Sequence, residues 1–223
     1  MRNWMLQAPM NEQSQAAGQV FAAVWAARNL SLLPHETPRW QFLQWLTGQG
    51  YLLHGSEQPG ITRFEPRTPF DLSPDEFSKR TGVFAASDAL WAMMYALGDR
   101  ARVARILNMA LQVAQGTDWS APRYFLSFAP RHAGVTDGRS LLSPGLVYVL
   151  PADGFERMPP YDWPGLGRVL EPHWVSPEAV TPLWSVPVSP ADFPLPVRLH
   201  DAARVDALSG SDPWGFPWLG DSD

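Results

Sequence analysis

Tyr51-Leu52-Leu53-His54-Gly55-Ser56 is a short apolar run that ends in a histidine, a glycine and a hydroxyl. A second run answers it further along, Val83-Phe84-Ala85-Ala86-Ser87-Asp88, and opens into a helical pattern. Short apolar runs bounded by turn residues read as buried strands. The spacing therefore predicts a strand over Tyr51–His54 and another over Val83–Ala86. Ser87 or Asp88 then caps a helix to about Leu97, with Leu90, Met93, Met94 and Leu97 facing inward.

Before the first run the pattern is helical. Residues 1–10 read as a loose arm. Asn11 is placed to cap a helix from Glu12 to Leu30, with Val20, Phe21, Val24 and Trp25 on its apolar face. A second helix is predicted from Pro38 to Thr47, with Thr37 as cap and Pro38 in the first turn. Residues 57–82 are irregular and proline-rich. They hold a brief extended piece, Ile61–Phe64, and one helical turn at Ser73-Pro74-Asp75-Glu76. Beyond Gly98-Asp99, apolar residues at helical spacing predict a helix from Arg100 to Ala114.

The period then changes to extended. Arg123–Phe128 and Leu146–Leu150 read as strands, the second a central one, with a Gly/Ser/Arg-rich loop over 130–144 between them. His173–Ser176 and Val180–Val188 also read as extended, and Pro182 and Pro187 mark the latter as an edge. Asp201–Leu208 reads as a short helix. The sum is an α+β domain over 1–208, with N-terminal helices followed by a mixed, mostly antiparallel sheet core. A tail over 209–223 carries Trp214, Phe216 and Trp218, aromatics suited to docking on their own domain or on a partner.

The 223 residues are 45% hydrophobic, with eleven Trp and eleven Phe, enough to bury a substantial core. Net charge is −5, so nothing attracts the chain globally to nucleic acid or to an anionic membrane. Sixteen of the seventeen basic residues are Arg, Lys79 being the exception. That bias reads as the codon usage of a GC-rich genome or as retention of Arg for bidentate phosphate binding. With no cysteine, disulfides, thiolate catalysis and Cys-ligated zinc are excluded. No charged segment followed by an unbroken apolar core opens the chain, and no apolar run approaches the roughly 20 residues of a membrane span. The expected location is cytoplasmic.

Familiar catalytic signatures are absent. There is no Gly-x-Ser-x-Gly, no Walker-type loop and no dinucleotide fingerprint. The histidines, at 35, 54, 132, 173 and 200, are too scattered for a helical metal pair, and no metal site is predicted. His54 is the titratable residue best placed for chemistry. It ends a strand, where a side chain reaches a cleft while its backbone stays anchored. Gly55 permits close approach and Ser56 adds a hydroxyl. A hydrogen-bonded structural histidine at a strand-to-turn junction is the competing reading.

An apolar strand ending in His-Gly-Ser, a loop, then Val-Phe-Ala-x-x-Asp and a helix containing Tyr95-Ala96 resembles the ADP-ribosyltransferase fold, in its branch with a first-motif histidine. Segments 51–56 and 83–96 carry the resemblance. It implies that NAD is the substrate, that His54 holds a ribose hydroxyl, and that Gly55 and Ser56 line the nucleotide site. It further implies that Phe84, Ala85 and Ser87 pack beneath the nicotinamide, Phe84 standing where the family has tyrosine. The family's third motif is a glutamate at the head of a late strand. Glu178, before Val180–Val188, fits best, ahead of Glu171 and Glu156. Arg63 and Arg67 follow the first motif and are candidates for the diphosphate. Related RNA 2′-phosphotransferases join a His-Gly motif to several arginines, a role that would need Arg63, Arg67 and Arg123 to converge. The alternative to both enzymes is a non-catalytic binding module of the same fold.

Overall fold

The computed structural model describes residues 2–9 and 14–219. In chain order the elements are α1 (Gln15–Ala27), α2 (Arg39–Gly48), β1 (Leu52–Ser56), β2 (Val83–Ala86), α3 (Ala89–Leu97), β3 (Val103–Gln115), β4 (Asp118–Trp119), β5 (Arg123–Pro130), β6 (Gly145–Leu150), β7 (Glu156–Arg157), β8 (Tyr161–Trp163), β9 (Gly167–Leu170), β10 (His173–Ser176), β11 (Trp184–Val188), β12 (Arg198–Leu199) and α4 (Ala202–Ser211). The fold is α+β. One sheet runs β11-β6-β1-β2-β10-β7 and a second runs β12-β5-β3-β9-β8, with β4 on β3. All pairings are antiparallel except β12 with β5.

α3 is the pivot. Its sequence, Ala-Leu-Trp-Ala-Met-Met-Tyr-Ala-Leu, is apolar all round, the mark of a helix enclosed on every side. Every residue of it but Tyr95 is buried. Asp88 caps it by accepting from the Trp91 N–H at 2.9 Å, as expected from the sequence. The same carboxyl accepts from the Tyr124 hydroxyl at 2.7 Å, tying the helix to β5. Gln44 of α2 caps a further orphan N–H, that of Ala89. On the other side the helix lies against the first sheet, and two glycines permit the approach. A Cβ on Gly55 would stand 1.9 Å from the Ala92 carbonyl oxygen, and one on Gly145 would stand 1.9 Å from that of Ala96. Both obstacles are backbone, so neither can swing aside. Gly55→Ala is expected to cost about 3 kcal/mol or more, read as a fall in the urea midpoint without loss of cooperativity.

The largest departure from the sequence expectation is residues 103–115. They form strand β3, not the predicted helix from Arg100 to Ala114. Leu107, Met109 and Leu111 face one core, with Trp4, Phe125 and Trp163. Ile106 and Ala110 face another, beneath α3. A strand covered on both faces is apolar at almost every position, so its residues also satisfy helical spacing.

Smaller corrections follow. α1 starts at Gln15 under a Ser14 cap, and the proposed cap Asn11 lies outside the described residues. α2 has Pro38 rather than Thr37 at its N-cap, where Asp192 accepts from the Arg39 N–H at 3.0 Å. Ser73–Glu76 forms bends and no helical turn, and Ile61–Phe64 contributes one bridge, Phe64 with Val180. Residues 2–9 are no loose arm. Leu6 pairs with Tyr124, and Trp4 and Met5 are buried. The C-terminal aromatics dock on their own chain: Phe216 and Trp218 are buried in the core of Trp4 and Phe125, with Trp214 packed against it.

Candidate functional site

β1 and β2 are neighbours in the sheet, yet only Leu53 and Ala86 are in register. By contrast β1 pairs with β6 along its whole length, from Leu52 with Leu150 to Ser56 with Leu146. Past Leu53 the strands part, and His54 occupies the breach. Its Nδ1–H donates to the Phe84 carbonyl of β2 at 2.6 Å, standing in for a lost ladder bond. A carbonyl only accepts, so this bond fixes the proton on Nδ1 and leaves Nε2 as an acceptor. Burial, opposed by that bond and reinforced by the charge of Arg67, holds the His54 pKa below its ordinary value. The ring is therefore neutral near pH 7, and Phe64 packs on it with centroids 4.5 Å apart.

The breach opens into a cavity of about 780 Å³, within the ~300–1,000 Å³ usual for ligand sites. His54, Gly55, Ser56, Arg63 and Phe84 all line it, with Arg67 and Trp91. Together with Ala85, seven of the residues chosen from sequence thus meet around one space. Ser56 Oγ accepts from the Gln58 N–H at 3.1 Å, bending the chain away after the strand. Arg63 is paired with Glu65 at 2.8 Å on an exposed rim.

Other candidates fall elsewhere. Ser87 is not among the lining residues. Its Oγ accepts from the Trp174 indole at 3.0 Å and its N–H donates to the Pro172 carbonyl, joining β2 to β10. Arg123 lies on β5 beside the Gln7 carboxamide and does not join Arg63 and Arg67. Glu156 is in an exposed ion pair with Arg80 at 2.8 Å. Glu178 is exposed on the turn after β10, and the strand it was expected to head begins only at Trp184.

The glutamate at the head of a strand is Glu171, just before β10, which is hydrogen-bonded to β2. It lines a second cavity of about 370 Å³ that shares Asp71, Ser78, Trp91, Tyr95, Arg100 and His173 with the first. The Glu171 carboxyl accepts from the Tyr161 hydroxyl of β8. Burial, with the Asp75 and Asp71 charges adding to it against that bond, pushes its pKa up to about 8. His173 stands between the cavities, ringed by Trp91, Phe84 and Phe77 at centroid distances of 5.0, 5.1 and 5.5 Å. Burial drives its pKa down to about 4, so it too is neutral near pH 7. Sequence named Glu171 only behind Glu178 and did not single out His173, because the aromatic walls come from elements far apart in the chain.

Among the described residues no group of three or more His, Cys, Asp or Glu is arranged to hold a metal ion. Among the same residues no helix is long and apolar enough to cross a membrane. No protein-family model, no curated protein and no solved structure matches the chain.

Proposed function

We propose that the protein is an ADP-ribosyltransferase-like enzyme that takes NAD as its substrate in the breach between β1 and β2. The observation that carries this reading is the parted strand pair with a neutral His54 set into it, opening on a cavity bordered by arginines. His54 Nε2 is an acceptor suited to a sugar hydroxyl. Arg67 and Arg63 suit a diphosphate, Arg67 more so because Arg63 already has a carboxylate partner. Phe84 supplies an aromatic surface without the phenolic hydroxyl of the family's tyrosine.

Glu171 takes the carboxylate role in this reading in place of Glu178. Cleavage of the bond between the nicotinamide and the ribose develops positive charge on the sugar. A fixed carboxylate stabilises that charge, and the walls hold the reacting centre in place. The role requires the ionised form, so nicotinamide release is expected to rise with pH toward about 8, the Glu171 value.

Calorimetric titration with NAD tests the reading. Saturable binding is expected, weakened at least about tenfold in His54→Ala through loss of a buried hydrogen bond. Absence of binding at millimolar NAD sinks it. Binding without nicotinamide release would favour the non-catalytic module, which the Phe84 substitution for tyrosine also suits.

A further inference from the structure

We propose that the smaller cavity is a second ligand site, built to take an organic monocation: an ammonium or guanidinium group on an apolar stem. Much of its wall is aromatic. Trp91, Trp163, Phe216 and Trp218 border it and are 5, 7, 7 and 5% exposed, so each is fixed in place by packing. The three indoles have already committed their N–H groups. Trp91 donates to Asn108 Oδ1 at 2.7 Å, Trp163 to the Trp214 carbonyl at 3.3 Å and Trp218 to the Asp212 carbonyl at 2.6 Å. The indoles therefore have no donor left for a ligand. Aromatic surface without indole donors favours a cation over an anion.

The polar groups agree. The carboxyls of Asp71 and Glu171 border the space, and Asp75 acts on Glu171 from close by. The cations at hand are spoken for or peripheral. Arg105 is paired with Asp206 at 2.8 Å and lies over the Phe70 ring, and Arg100 is exposed where the two cavities meet. Leu107 and Met109 of β3 supply apolar contact for a stem. About 370 Å³ admits a small organic cation. The site has its wall from the C-terminal segment, through Pro213, Phe216 and Trp218, which gives that segment's aromatics a use beyond filling a core.

A cation beside Glu171 stabilises its ionised form, so binding is coupled to proton release. The groups facing that carboxyl are Tyr161, Asp71 and Asp75, with His173 held neutral nearby. The site shares Glu171 with the proposed transfer chemistry, but its test needs no nucleotide.

The probe is benzylammonium chloride, titrated into the intact chain without nucleotide and followed by tryptophan fluorescence and calorimetry. Saturable quenching is expected, with a proton released on binding below about pH 8 (seen as a heat that depends on the buffer's ionisation enthalpy). Benzyl alcohol, of nearly the same shape and without charge, is expected to bind at least about tenfold more weakly. Asp71→Asn and Glu171→Gln, each neutral and nearly isosteric, are each expected to weaken benzylammonium by about the same factor. Equal affinity for the alcohol, indifference to both carboxylate variants, or no saturation at tens of millimolar would overturn the proposal. Because NAD is absent throughout, none of these outcomes depends on the nucleotide reading.

Discussion

Glu171→Gln is expected to make the protein more stable at alkaline pH while removing most of the transfer activity proposed for it. The Glu171 carboxyl has a folded-state pKa near 8 against an ordinary 4.5. Between those values the folded chain keeps a proton that the unfolded chain has released. Stability therefore falls as pH rises through that window, and the full cost is present above pH 8. The shift corresponds to an upper figure of about 5 kcal/mol, reduced to about 2–5 kcal/mol because solvent reaches the carboxyl from the cavity. Glutamine carries no charge to bury, and its amide oxygen can still accept from the Tyr161 hydroxyl. In urea unfolding the variant should match the parent below pH 4.5 and exceed it at about pH 9 by that amount. Under the proposed function, nicotinamide release should drop by about 10²–10³ at the same pH. A variant no more stable than the parent at alkaline pH would mean that Glu171 ionises freely and is not held as described. A variant that is more stable yet fully active would separate the buried carboxyl from the chemistry.

Glu171 is not alone in having a raised pKa: burial also raises that of the Asp88 carboxyl, but there a helix N–H and the Tyr124 hydroxyl oppose the shift. Among the described residues, several other carboxylates are capped or paired. Asp88 and Asp201 accept helix N–H groups, and Glu156, Glu65 and Asp206 hold arginines. Glu171 has one phenol to favour its ionisation, which burial and two nearby acids oppose.

How far the sequence speaks differs by element, for reasons that can be named. β2, α3 and β10 were legible because each has one plain signal: an apolar run, a cap before helical spacing, a β-rich run between prolines. The His54 site was legible because strand end, glycine and hydroxyl are contiguous. β3 was not, since burial on both faces erases the alternation that identifies a strand. Glu171 was ranked behind Glu178 because strand boundaries decide which glutamate heads a strand. Val180 was taken as a strand start, whereas it makes a single bridge with Phe64. What raises the Glu171 pKa is burial first and then the charges of Asp75 and Asp71, and nothing in local spacing brings those together. The docking of Trp4 and Phe216 on Phe125 joins both ends of the chain to its middle, with ring centroids 5.8 and 5.4 Å from Phe125. Contacts of such separation leave no local trace.

Asp88→Ala is expected to be the most damaging single change outside the glycine contacts, at about 3–5 kcal/mol. One buried carboxyl performs two tasks. Oδ1 caps α3 at the Trp91 N–H, and Oδ2 accepts from the Tyr124 hydroxyl, so the helix is tied to β5 through the group that starts it. Alanine leaves a helix N–H and a phenol hydroxyl without partners in a site where water cannot replace them. Tyr124→Phe removes only the second bond and should cost about 1–2 kcal/mol. Asp88→Asn keeps an oxygen for the cap but turns an amide N–H₂ toward the Tyr124 hydroxyl, and should fall between the two. A double-mutant cycle over Asp88→Ala and Tyr124→Phe, read by urea unfolding, separates cap from tie. A coupling near 1 kcal/mol or above is the expected result. Additive losses would mean that the phenol contributes nothing through Asp88. The carboxyl would then act on α3 alone, and the position of the helix beneath His54 and Phe84 would rest on Gly55 and Gly145. In that case His54 geometry, read through NAD affinity, should be insensitive to Tyr124→Phe. If the tie matters, the same variant should weaken the proposed NAD binding without touching any residue of the cavity wall, because the helix that floors the cavity would be free to shift.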